Sequence, residues 1–374
     1  MSQSTGQFRA HHQSTSQDWA ALSAWVARQG HTLETSGARQ FAGGKANLNY
    51  LVVLDGQPAV FRRPPAGPIA EGANDMAREW RVLSRLGDGF ALAPRGLLYC
   101  DDPDVLAAPF QFLEYREGLA IGGELPTGLP VDAPSRITAT LVEAMTALHR
   151  VSPESVGLGE LGRPEGLLER QLTGWTRRAH VVWPDGLPDA VTYLTSRLAE
   201  EIPEPAAISL LHMDLKLDNM LIDQETLSPN AIIDWDMATR GCPLFDLAIL
   251  VSYWMEPDDP AGVRAVNQMP TTAQGFGKRA DVIDSYFAAA GMPPRPLHWH
   301  VACARLRLAV AWMQLYRKWQ SGDLIGPGYA DFEDIAMSVL DWATTPRCRW
   351  HRYRTIHGSQ SCRSSVLAVL MSPA

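Results

Sequence analysis

The chain has 374 residues, more than a single core of about 250–300 residues holds, so two lobes or two domains are expected. Apolar residues make up 46% and charged residues 20%, which excludes a wholly disordered, collagen-like or coiled-coil chain. The net charge of −8 supplies no basic surface of the kind a nucleic-acid binder carries, so no nucleic-acid partner is expected.

Residues 1–17 are polar, lack the apolar stretch of a secretory signal and read as a disordered lead. Asp18 can cap a helix over Trp19 to Gln29 that stops at Gly30, with Leu22, Trp25 and Val26 as its apolar stripe. A strand is expected over Thr35 to Phe41, then the glycine-containing turn Ala42 to Asn47, then a strand over Leu48 to Leu54. Asp55-Gly56 is a tight-turn pair leading into a third strand, Pro58 to Arg63, closed by Pro64-Pro65. Met76, Trp80, Leu83 and Leu86 have helical spacing up to Gly87. Gly96 to Cys100 and Ala108 to Tyr115 complete five strands.

From about Ile137 the pattern is helical, with Leu141, Met145 and Leu148 on one face. It is interrupted between Ile208 and Asp236 by two short apolar runs, 220–222 and 231–233, around a turn containing Ser228-Pro229-Asn230. Helices are expected again from Leu244 to about Trp342. The densest apolar stretch, Leu247 to Met255, has about half the ~18–20 residues of a membrane span, so no membrane partner is expected. Five scattered cysteines without a C-x-x-C pair indicate neither zinc nor a disulfide scaffold and suit a cytoplasmic protein. The tail, 345–374, has five Arg and no acid; without it the body carries −13, and no function is assigned to it.

Chemistry concentrates in His212-Met213-Asp214-Leu215-Lys216-Leu217-Asp218-Asn219 and in Ile232-Ile233-Asp234-Trp235-Asp236. This spacing fits a catalytic loop followed by a hairpin that returns a carboxylate to the same place. Phosphoryl transfer needs a carboxylate to orient a hydroxyl and accept its proton, and Asp214 suits that task. It also needs Mg²⁺ against the polyphosphate charge, typically held by one or two protein oxygens, and Asn219 and Asp234 suit that one. His212 is placed to brace the loop. The aromatics Tyr253, Trp254, Trp312, Tyr316 and Trp319 are candidates for either core or an acceptor pocket.

These motifs resemble the aminoglycoside phosphotransferase-like family, which also includes choline-kinase-like enzymes. They are joined by Gly43-Gly44-Lys45-Ala46-Asn47 with Tyr50, Val60 to Pro65, and Gly241 to Ala248. Within the family the chain is similar to the branch related to the kinase domains fused to acyl-CoA dehydrogenases. The resemblance spans roughly 20–340. It implies a bilobal α+β protein-kinase-like fold: a small antiparallel-sheet N-lobe at 18–115 that binds nucleotide, and a larger, mostly helical C-lobe at 116–344 that carries catalysis and the acceptor. The implied cofactors are ATP and Mg²⁺.

By the same resemblance Asp214 is the base, Asn219 and Asp234 are the metal ligands, and Gly43, Gly44, Lys45, Ala46 and Asn47 cover the phosphates. Arg62 stands where kinases place a phosphate-pairing Lys, with Glu79 as its carboxylate partner and Arg63 as competitor on the opposite strand face. Leu113, Glu114 and Tyr115 would meet the purine. Lys216 is either a phosphate contact or a solvated charge. Asp246 braces the loop or caps a helix. Met213 departs from a usual Gly and Cys242 from a common Asp.

The acceptor is expected to be a hydroxyl of a small molecule, in this branch a hydroxyacyl-type metabolite or its CoA ester. The alternatives are an aminoglycoside, which would want an acidic pocket, and a non-catalytic nucleotide-binding scaffold. The negative body slightly favours a cation.

Overall fold

The computed structural model describes residues 8–43, 47–65, 75–324 and 327–345. Two lobes share one cleft. The N-lobe opens with α1 (Trp19–Arg28), whose N-cap Asp18 accepts from the Ala21 amide and whose stripe Leu22, Trp25 and Val26 is buried. Then follow β1 (Leu33–Gln40), β2 (Leu48–Leu54), β3 (Gln57–Arg63), α2 (Met76–Leu86), β4 (Gly96–Cys100), the one-turn α3 (Pro103–Leu106) and β5 (Phe110–Glu114). The five strands form one antiparallel sheet in the order β1-β2-β3-β5-β4. Asp55 and Gly56 both take positive φ between β2 and β3, the conformation a two-residue hairpin requires.

Strand alternation gives the sheet two different faces. Tyr50, Val52, Phe61, Phe110 and Phe112 pack with α1 into a small core. The opposite face carries a polar row, because register pairs Asn49 with Arg62 and Arg62 with Gln111. The stretch before α1, expected to be disordered, is in part fastened: Phe8 bridges to Phe41, and Tyr50 donates its hydroxyl to Thr15 O at 2.6 Å. Residues 1–7 and the tail from 346 lie outside the described residues, as does most of the glycine turn, 44–46.

The C-lobe contains α4 (Ala133–His149), α5 (Leu167–Val182) and α6 (Asp189–Glu200), then β6 (Ser209–Leu211), β7 (Met220–Ile222), β8 (Pro229–Ile232) and β9 (Thr239–Gly241). It ends with α7 (Pro243–Tyr253), α8 (Ala261–Arg264), α9 (Arg279–Ala290), α10 (His298–Gln320) and α11 (Phe332–Thr344). Helix α7 is apolar all round and buried, so α10 packs on one side of it and α9 on another.

Two corrections concern the β insert. Pro229 and Asn230 belong to β8, and the turn lies earlier, where the Asp223 carboxylate accepts the Glu225 and Thr226 amides and Leu227 takes positive φ. A second pair, β6 with β9, brackets the insert. Its three-residue strands are too short to show periodicity. Among the described residues, no helix is long and apolar enough to cross a membrane, and Cys100, Cys242 and Cys303 are free and buried.

His300, in the first turn of α10, sits 3.8 Å from Cys242 Sγ. Burial drives its imidazole from the usual 6.5 down to about 4, so the folded chain holds it neutral. Its contribution to stability is therefore complete above about pH 6.5 and is lost as pH falls toward 4. We expect a loss of about 2 kcal/mol near pH 5, read by urea unfolding at neutral and acid pH, and a flatter acid limb in His300→Phe.

Candidate active site

The cleft is stitched together by three groups from three elements. Arg62 on β3 donates Nε to Glu79 Oε2 at 2.7 Å, Nη1 to Asn49 Oδ1 at 3.2 Å and Nη2 to Asp234 Oδ1. Glu79 on α2 also accepts from Gln111 Nε2 and, through Oε1, from the Trp235 amide at 3.2 Å. One buried carboxylate thus ties the sheet and α2 to the segment that carries Asp234. Arg63 points to the other face, donating to Gln17 Oε1 and to the carbonyls of Pro64 and Leu106. This settles which arginine turns inward.

Electrostatics follow this packing. Burial would weaken the charge on Arg62, but Glu79 and Asp234 outweigh it and raise its pKa. Burial would raise Asp234, yet the Arg62 guanidinium holds it below the ordinary carboxylate value. Asp236 feels Arg62 only at longer range: burial first, then Asp234 and Glu79, outweigh it and push Asp236 up to about 8.

The 212–219 loop is built from backbone donors. Asp246, in the first turn of α7, accepts the His212 amide at 2.7 Å and the Met213 amide at 2.8 Å, and lies 3.3 Å from His149 Nε2. It braces the loop, while the cap position itself belongs to Cys242. His212 packs tilted against Trp235 with ring centroids 4.7 Å apart, and burial lowers its pKa and keeps it neutral. It donates Nε2 to Ile233 O at 3.0 Å and accepts the Asp214 amide at Nδ1. The Ile233 amide donates to Asn219 O at 2.9 Å, so the two motifs, distant in sequence, lie side by side.

Asn219, in a 3₁₀ turn at Leu217–Asn219, donates Nδ2 to Asp214 O and Oδ2 at 2.8 and 3.1 Å, which leaves its Oδ1 as an acceptor. Lys216 is buried between Asp214 Oδ2 (2.9 Å) and Asp218 Oδ1 (3.0 Å); these two charges raise its pKa against the effect of burial. It is not a solvated charge.

Asn219 Oδ1 and the Asp234 oxygen not engaged by Arg62 are hard oxygen donors, few in number, which fits a magnesium ion that takes its remaining ligands from phosphate and water. Asp234 takes φ +70°, and Met213, the residue in the usual glycine position, takes φ +69°, the region that favours glycine.

The remaining candidates are spread along the cleft. Gly43 and Asn47 flank the undescribed 44–46, which holds the predicted Gly44, Lys45 and Ala46; Asn47 is buried with neither amide atom hydrogen-bonded among the described residues. Leu113 and Glu114 end β5, the Glu114 amide donates to Arg95 O at 2.8 Å, and Tyr115 stacks on Phe41.

Beside Asp214 opens a cavity of about 190 Å³. Of the aromatics weighed for a pocket, only Tyr253 lines it; Trp254 and Trp312 are core, and Tyr316 and Trp319 pack against each other at a tilt. Trp175 of α5 and Arg307 of α10 line it too and were not singled out from sequence. The available signal was Arg307 inside the i, i+4, i+7 run Ala304, Leu308, Ala311, a charge on a face that should be apolar.

Known proteins resemble this chain in sequence and in fold. Acyl-CoA dehydrogenase family member 10 of Mus musculus is 24% identical over 285 residues, 76% of this chain and 26% of that protein. Acyl-CoA dehydrogenase family member 11 of Gallus gallus is 29% identical over 221 residues, 59% and 28% respectively. The chain thus spans little more than a quarter of these relatives. A protein of known structure from Ralstonia eutropha, assigned as an aminoglycoside phosphotransferase, shares the fold at TM-score 0.70 with 24% identity, covering 87% of this chain and 98% of that one. The GDP complex of aminoglycoside 2'-phosphotransferase-IIIa does so at TM-score 0.57 with 16% identity, covering 88% and 98%. The family model described as the phosphotransferase enzyme family matches residues 37–281, and with that span, holding both the Arg62 strand and the 212–246 loops, the chain belongs to this family of kinase-fold enzymes.

Proposed function

We propose that the protein transfers the γ-phosphoryl group of ATP, with Mg²⁺, to the hydroxyl of a small hydroxyacyl-type metabolite. The observation that carries this reading is that Asp214 lines a cavity of small-molecule size while Asn219 donates to its carboxylate and the Asp234 segment lies alongside Asn219. The hydroxyacyl class is supported by the relatives named for acyl-CoA dehydrogenases.

In this scheme Asp214 orients the acceptor hydroxyl and takes its proton. The hydroxyl oxygen bonds to the γ-phosphorus as the bond to the β–γ bridging oxygen breaks, with ADP leaving. Asn219 and Asp234 would hold the magnesium, which supplies charge neutralisation at the triphosphate. Arg62, held by Glu79, and Lys216 face the phosphates, and the backbone of 113–115 meets the purine. The Glu114 amide is already committed to Arg95, so its neighbours supply the purine contacts. Asp246 and His212 fix the loop. Most of the rate then comes from positioning and preorganised charge.

An aminoglycoside acceptor has less support. Its positive charges need several carboxylates, and the cavity is lined by Asp214, Arg307 and otherwise uncharged side chains.

Asp214→Ala is expected to lower kcat by roughly three orders of magnitude while the Kd for Mg·ATP, measured by calorimetry, stays within about twofold. Loss of nucleotide binding together with turnover would instead mark Asp214 as structural. A wild-type chain that binds Mg·ATP and phosphorylates no member of a panel of hydroxy acids, their CoA esters, aminoglycosides and choline would be a scaffold. Arg62→Lys keeps the charge but cannot span Glu79 and Asp234 as the guanidinium fork does. We expect the KM for ATP to rise about tenfold and unfolding in urea to lose about 2 kcal/mol, with Glu79 and Asp234 left partly unpaired.

A further inference from the structure

We infer that Arg307 anchors a carboxylate of the acceptor, so that the substrate is a free hydroxy acid presented to Asp214 by its own anionic end. This rests on the reading of the Asp214 cavity as the acceptor site.

Arg307 is 7% exposed, on the face of α10 that lines the cavity. Its guanidinium lies among cavity walls: Nη2 is 3.4 Å from Met237 Sδ, and Cζ is 5.8 Å from the Trp175 ring centroid. No carboxylate comes within ion-pair distance of it among the described residues, and a thioether sulfur is a weak acceptor. Three other buried cations among the described residues are matched by carboxylates, Arg62 by Glu79 and Asp234, Lys216 by Asp214 and Asp218, and Arg279 by Asp259 and Glu256, while Arg305 lies over the Trp342 ring.

A buried guanidinium is costly unless paired, and the fork geometry fits two oxygens of a carboxylate. The surrounding walls, Trp175, Ile249, Tyr253 and Leu308, offer apolar and aromatic surface to a short alkyl chain. A cavity of about 190 Å³ matches a short hydroxy acid and is small beside a coenzyme A thioester. In a thioester, moreover, the carboxyl charge is gone.

Binding can be read without turnover. With Mg·AMP-PNP present, calorimetry would compare butyrate, β-hydroxybutyrate, its CoA thioester and uncharged butanediol on the wild-type protein, Arg307→Met and Arg307→Lys. We expect the wild type to bind both carboxylates and to bind butanediol at least about 30-fold more weakly. Arg307→Met should lose carboxylate affinity by roughly 30-fold or more with nucleotide affinity unchanged, and Arg307→Lys, which keeps the charge in a folded pocket, should fall between. Wild-type indifference to the carboxylates, or Arg307→Met binding them as the wild type does, overturns the proposal. A thioester that binds as tightly as the free acid and is equally weakened in Arg307→Met also overturns it, by placing the anion on coenzyme A. Absence of phosphoryl transfer to any acceptor removes the kinase reading instead and leaves the Arg307 binding result to be judged by itself.

Discussion

The guanidinium of Arg62 is the point at which the two lobes become one site. It reaches Asn49 on the neighbouring strand, Glu79 on α2 and Asp234 on the far side of the cleft. That reach depends on register, because pairing of β2, β3 and β5 aligns Asn49, Arg62 and Gln111 across one face. A slip of one residue would turn Phe61 toward the cleft and bury Arg62 against α1. Glu79 completes the arrangement by collecting donors from Arg62, Gln111 and the Trp235 amide. Such a buried network adds little net stability compared with an apolar core, but removing one member leaves the others charged and unpaired, so it specifies one geometry.

The 212–219 loop solves a related problem with backbone groups. Met213 and Asp234 both occupy the left-handed region, at a cost of about 1–2 kcal/mol each. The Asp246 carboxylate accepts two consecutive amides around Met213, and hydrogen bonds to charged groups contribute about 1.5–3 kcal/mol each. The loop is therefore held in a strained shape by a buried acid on α7, and the acid itself rests against His149. Met213 adds a side chain that glycine could not: it is buried within the large core, so packing offsets part of the strain.

Much of this was legible in the chain itself. The strand β2 and the helix α2 end where their punctuation says, at Asp55-Gly56 and Gly87, since those residues act locally. The Asp214, Asn219 and Asp234 spacing was legible because a five-residue loop and a short hairpin leave few ways to arrange three side chains. Three-residue strands such as β6 and β9 were not, because their pairing is made over some thirty residues and has no period to reveal it. Nor was the split between Tyr253, which faces the cavity, and Trp254, which is core, since neighbouring positions on a helix look alike until its packing is known. Arg307 was overlooked for the opposite reason: an arginine in a long helix, here one of three with Arg305 and Arg317, reads as surface until the helix proves buried on most sides.

In the proposed reaction, transfer chemistry and acceptor choice come from different parts of the molecule. The loops at 212–219 and 233–236 hold the groups proposed to act on the phosphoryl group, and their geometry is tied to Arg62, Glu79 and Asp246. The cavity walls come from α5, α7 and α10, whose helical positions face Asp214 but take no part in that bonding. A helix can exchange one wall residue for another without disturbing a loop held by backbone amides. The loop motifs therefore bear on the proposed reaction and are silent about the acceptor. Bulk charge is silent for a related reason: the −13 of the body is spread over a surface screened within about 10 Å, whereas a single buried guanidinium acts unscreened on whatever enters beside it.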